Sequence, residues 1–152
     1  MKGRTALLAA SKNGDEEFVK LLLSQSDVKI NLQDEKGETA LFAASKIGHE
    51  GIVKLLLSRN DVAVNTTTDG IWGKNCGQTA LLEASRNGHK EIVQLLLSRT
   101  DVDINFQDDF GRTALFAASE NGHEGIFGLL LSRIDVDINL QDVNGRTALF
   151  VV

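Results

Sequence analysis

Three histidines and one cysteine are the residues of this 152-residue chain whose types could ligate a metal or attack a substrate: His49, His89, His123 and Cys76. Imidazole and thiolate are common zinc donors, and a thiol paired with an imidazole is a common nucleophile. The spacing argues against both chemistries. The histidines stand 40 and 34 residues apart, each directly after a glycine that closes the same phrase, so they fall in successive units rather than around one centre. Their expected part is a turn hydrogen bond to nearby backbone. Cys76 has no recurring His or Cys partner close in sequence, and no nucleophile elbow, phosphate-cradling glycine loop or HExxH pattern occurs. The chain reads as a non-enzyme with no cofactor and no metal.

What positions these residues is a repeat. "GRTALLAASKNG" from Gly3 returns as "GETALFAASKIGH" from Gly37, "GQTALLEASRNGH" from Gly77, "GRTALFAASENGH" from Gly111 and "GRTALF" from Gly145. The period is 34, 40, 34 and 34 residues, which is the range of stacked solenoids. In each unit a Thr such as Thr113 can cap a short apolar helix that ends at a glycine such as Gly122. A second helix runs from near Glu124 to Arg133, and "DVDINFQDDFG" then reads as an extended finger with a tight tip. Helices this short are marginal alone, so each unit must bury its apolar face on its neighbours.

The order "G-x-T-A-L-F-A-A-S-x-x-G-H-x-x-I-V-x-L-L-L", followed by "D-V-x-I-N" and an Asp before the next Gly, resembles the ankyrin repeat over nearly the whole chain. The resemblance implies an all-α ankyrin-repeat solenoid of stacked helix-turn-helix units with β-hairpin-like fingers. One domain, 1–152, is expected, with repeats at about 3–36, 37–76, 77–110 and 111–144 and a partial one at 145–152. The opening Thr-Pro-Leu-His of the family is Thr-Ala-Leu-Phe or Thr-Ala-Leu-Leu here, and the period is one residue longer than about 33. The apolar pattern survives both departures. The family implies a protein-protein interaction module or scaffold fragment that binds through finger tips and the first-helix concave face. Asn105 and Asn139, each in "L-x-x-x-x-x-D-I-N", resemble the ankyrin asparagines that an oxygen-dependent hydroxylase modifies, although an asparagine there also serves turn hydrogen bonds.

Composition sets the partner class. A net charge of −5 disfavours nucleic acid, which needs clustered Lys and Arg, and no apolar run approaches the roughly 20 residues that cross a bilayer. A single Cys favours a reducing, intracellular and cytoplasmic setting. A protein partner is therefore expected, with an inert spacer or a small-molecule groove near Glu83 and Arg86 as alternatives. Both ends read as cut from a longer array, so exposed apolar surface around Leu129 to Leu131 and at Phe150, and self-association through the uncapped C-terminal end, are expected. Gly51, Gly125 and Gly128 lie inside second helices and should weaken them, the last full unit most.

Positions that vary within a copied frame are free for recognition. They include Lys46, Ile47, Gln78, Glu83, Arg86, Asp109, Phe110 and Arg112. One finger also departs in length: Asn65 to Gly77 encloses eleven residues where Asn105 to Gly111 encloses five. That finger, 65–77, carries Ile71 and Trp72, the only Trp of the chain, and Trp is enriched at interface hot spots. The competing reading is that Trp72 folds back and anchors the insertion.

Overall fold

The computed structural model describes residues 5–69 and 76–150. They hold eight α-helices in four antiparallel pairs: α1 (Ala6–Asn13) with α2 (Glu16–Leu23), α3 (Ala40–Ile47) with α4 (Glu50–Leu57), α5 (Ala80–Arg86) with α6 (Lys90–Leu97), and α7 (Ala114–Glu120) with α8 (Glu124–Leu131). The first helices form one row and the second helices another, each packed on the equivalent helix of the next pair. The architecture is the expected all-α solenoid. Among the described residues the fingers form no strand, and a lone bridge joins Gln141 to Thr147.

Local chemistry sets the helix ends. Thr5, Thr39, Thr79 and Thr113 are extended N-caps, and each hydroxyl accepts the N–H three residues on, at 3.1 to 3.2 Å. Gly48 closes α3 in the left-handed region, at φ 99°, and its own N–H bonds Ala44 O. This glycine is also needed for space. A Cβ there would stand 2.7 Å from Cε1 of the His89 ring, which lies over it from the next pair.

The core runs through the stack as aligned columns. Leu41, Leu81 and Leu115 occupy one, Ile52, Ile92 and Ile126 another, all nearly sealed. Where no neighbour covers the column the same side chain is open: Phe18, in the place of Ile52, is 43% exposed. The expectation of an apolar surface at Leu129 to Leu131 needs correcting in part. Leu130 is fully buried against the core, while Leu131 and Phe150 are exposed. The fifth "GRTALF" does not begin a helix within the described residues. It makes a single turn, closed by the Phe150 N–H to Thr147 O at 3.0 Å.

Side chains replace the ladder that the fingers lack. Asn31 donates to Asp61 O and accepts from the Ala63 N–H, Asn65 does the same with Asp101 and Asp103, and Asn105 with Asp135 and Asp137, at 2.7 to 2.9 Å. On the outer side Arg59, Arg99 and Arg133 each clasp the Asp two residues on with both arms and donate to a carbonyl of the preceding pair. The asparagines so supply the following finger with partners, and the arginines supply carbonyls of the preceding unit.

The helix glycines differ in what they touch. Against Gly51 the Glu16 carboxylate packs so closely that a methyl would displace it, and both line a groove of about 400 Å³ between α2 and α4. Gly128 is exposed and a Cβ there would meet nothing within 4 Å. Gly128→Ala should therefore raise the unfolding free energy by about 1 kcal/mol. A urea midpoint at or below the parent's would show that α8 has another reason for the glycine.

Candidate functional site

The finger frame shows where the long finger departs. In three fingers an Asp accepts the tip-closing glycine N–H and donates its own N–H four residues on: Asp34 with Gly37 and Glu38, Asp108 with Gly111 and Arg112, Asp142 with Gly145 and Arg146. In the long finger Thr68 takes this part, accepting from Gly77 at 2.9 Å and donating to Gln78 O at 3.1 Å. The tips also bond one another: Asp69 N–H reaches Lys36 O, Asp109 N–H reaches Cys76 O and Val143 N–H reaches Phe110 O. Asp69 and Cys76 thus occupy the two tip positions held elsewhere by Asp109 and Phe110. The six added residues are 70–75, within the 65–77 finger. Ile71 and Trp72 lie outside the described residues.

Beneath the root of this finger three departures from the repeat meet. Thr68 stands where the other fingers have Asp, Gln78 where two of them have Arg112 and Arg146, and Glu83 where the other first helices have Ala9, Ala43 and Ala117. Gln78 and Glu83 are 0% and 4% exposed. Both were expected on the surface. For Glu83 packing explains the difference: Ala43 and Ala117 in the same column are buried between units, whereas Ala9, in the first unit, is exposed. The Gln78 amide, turned so that both its groups are satisfied, donates to Glu83 Oε1 at 3.0 Å and accepts from Arg86 Nη1 at 2.6 Å. Arg86 Nη1 also pairs with the same Glu83 oxygen, and Arg86 Nη2 stands 3.6 Å from Asp108 Oδ2. The Gln78 N–H bonds the Thr68 hydroxyl at 3.2 Å.

The remaining expected residues stand at first-helix ends and in the fingers. Ile47 is exposed at the end of α3, and Lys46 is half-buried, 3.5 Å from Glu38 Oε1 and 5.8 Å from the centre of the Phe42 ring. Asp109 is exposed at its tip. Phe110 lies 4.8 Å under the Arg112 guanidinium, which is itself held by Asp108 at 2.8 Å. Asn105 spends both ends of its amide on the next finger, whereas Asn139 is exposed. His89 and His123 donate through Nε2 to Lys46 O and Arg86 O at 3.2 and 3.0 Å, so the backbone they serve belongs to the preceding pair. The described residues bring together no group of three metal-ligating side chains. None of their helices is long and apolar enough to cross a membrane.

Charge pairing fixes the finger bases. Lys12 joins Asp34 and Glu38 at 2.9 and 2.6 Å. Burial alone would raise the Asp34 carboxyl, but the Lys12 hydrogen bond and the N–H groups of Glu38 and Lys36 hold it below its ordinary 3.8. Asp142 goes further. Burial opposes ionisation there too, yet the Arg146 guanidinium and the N–H groups of Arg146 and Asn144 bring its pKa down to about 2. A depressed folded pKa adds stability that is complete above the unfolded value and disappears as pH falls toward the folded one. Stability should therefore drop between pH 3.8 and about 2, and less so in Asp142→Asn. Urea midpoints across that range check this, and parallel curves for the two proteins would refute it.

The model of the family described as Ankyrin repeats (3 copies) matches residues 2–68 and 61–142. Among curated proteins the chain finds no match.

Proposed function

The chain belongs to the ankyrin-repeat family, whose repeats generally serve protein-protein interaction, and we propose that it is a non-enzymatic binding module whose partner docks on the long finger and the adjoining tips. The observation that supports this is the finger register. Residues 70–75 are added between two tip positions whose flanking bonds are those of fingers without an insert, so closing the frame does not call for the extra residues. They add an Ile and the only Trp of the chain, Ile71 and Trp72, to a finger whose flanking Cys76 accepts the N–H of Asp109, at the tip where Phe110 lies under Arg112. Lys46 and Ile47 extend the same surface along the first-helix face. A scaffold in the cytoplasm is the setting that suits a chain with a single Cys and an acidic net charge.

Deleting 70–75 should restore an ordinary finger, with Asp69 and Cys76 as its tip. Shortening a loop lowers its closure cost, by roughly 1 kcal/mol for a fourfold change, so the helical signal should persist and the thermal midpoint should not fall. Capture from source-cell lysate with the intact chain and with this variant, read by mass spectrometry, then tests the function. Proteins bound by the first and lost with the second support the long finger as the recognition element. An identical set in both captures overturns that assignment.

A further inference from the structure

We infer that Glu83 and Arg86 are a positioning pair that ties the root of the long finger to the tip of the finger after it, so that the two respond as one unit when either is bound. The inference rests on the reading of the fingers as the binding edge. It begins with an apparent mistake in the repeat, a carboxylate in an alanine column. Burying a charge there is unfavourable unless a partner and further hydrogen bonds offset it, and Arg86 and Gln78 are placed to supply both.

The charged residue near the end of each first helix has a neighbour ahead of it in the next finger. Lys12 reaches Asp34 at 2.9 Å, and Arg86 approaches Asp108 to 3.6 Å. Between them the pattern breaks. Lys46 has Thr68 ahead, which offers no carboxylate, and Glu120 has Asp142 ahead, a like charge. Among the described residues the root of the long finger therefore receives no ionic tie from the helix behind it; its links to the preceding finger are neutral, Gln33 Nε2 to Thr67 O at 2.9 Å and Asp69 N–H to Lys36 O at 3.0 Å. The charged route runs forward: the Gln78 N–H bonds the Thr68 hydroxyl, the Gln78 amide meets Glu83 and Arg86, and Arg86 faces Asp108.

Asp108 is the hinge of the following tip. Its Oδ1 accepts the N–H groups of Phe110 and Arg112, both at 2.9 Å, and its Oδ2 takes the Arg112 guanidinium that covers the Phe110 ring. A change in how Arg86 stands is thus passed to the side chain that orders the whole tip. The first finger gives an internal comparison, since Asp34 Oδ1 accepts the Lys36 and Glu38 N–H groups in the same way with no glutamate in the helix before it.

Amide hydrogen exchange read by NMR on the free 152-residue chain tests the coupling. In Glu83→Ala, the residue found at this position in the other three units, the Phe110 and Arg112 N–H groups should exchange at least about tenfold faster while those of Lys36 and Glu38 keep their rates. Glu83→Gln, which still offers Arg86 a carbonyl oxygen, should return most of the protection. Unchanged rates at Phe110 and Arg112, or equal acceleration in both fingers, would overturn the inference. If Glu83→Ala loses helical signal, the double variant Glu83→Gln/Arg86→Gln replaces it, keeping polar groups of similar length, and the same two patterns decide. Because no partner is present, this result is independent of whether deleting 70–75 abolishes capture.

Discussion

Arg86→Ala is expected to lower the unfolding free energy by about 3 kcal/mol, and adding Glu83→Ala to the same chain is expected to restore most of it. The single change leaves the Glu83 carboxyl group at 4% exposure with only the Gln78 amide beside it. Water cannot reach it well enough to replace the guanidinium. The double change returns the column to the alanine of Ala43 and Ala117, which pack there without a charge. Glu83→Ala alone should be mild in global stability, because Arg86 is one-fifth exposed and its charge is not sealed from water, while the order it loses is local to the Asp108 tip. Urea unfolding of the four proteins closes a double-mutant cycle, and a coupling energy near zero, with the two losses simply adding, would show that the pair does not act as a unit.

Much of the fold can be read from the repeat because its strongest signals are local. A Thr before an apolar run and a Gly after it act within one turn of helix, and Thr39 with Gly48 behave in the structure as their types predict. Signals between units are harder to read. Asn105 looks like a turn residue in sequence, and it is the contact with Asp135 and Asp137, one period on, that makes it a cross-link. Gln78 and Glu83 vary, and variation in a copied frame suggests surface. The better signal was the identity of the column: a position that is alanine in the three other units is one where a larger side chain meets a neighbour, so Glu83 there points to burial and a partner. The long finger is similar. Thr66 to Thr68 differ in type from the usual residues yet keep the frame, because backbone bonds close the finger and the Thr68 hydroxyl accepts the Gln78 N–H as Asp108 Oδ1 accepts that of Arg112.

Phe116→Ala is expected to cost about 3–5 kcal/mol, and Phe150→Ala less than about 1 kcal/mol, although both end an identical "GRTALF". Phe116 is 1% exposed, and Phe150 is 73% exposed. The difference arises from what each hexapeptide has beside it. Residues 145–150 cover the first: the Arg146 guanidinium lies 5.4 Å from the centre of the Phe116 ring, and Ala148, itself buried, accepts the Ser119 hydroxyl at 2.6 Å. In the second the Phe150 ring has no such cover among the described residues, and its segment makes one turn where Ala114–Glu120 makes a helix. Removing the Phe116 ring leaves a cavity that the packed column cannot close, whereas removing the Phe150 ring takes away surface that water already reaches. Thermal or urea unfolding of the two variants distinguishes the cases. Equal losses would mean that the hexapeptide carries its stability locally; the expected inequality places that stability in the contact between one unit and the next, which is also where the Glu83–Arg86 pair works.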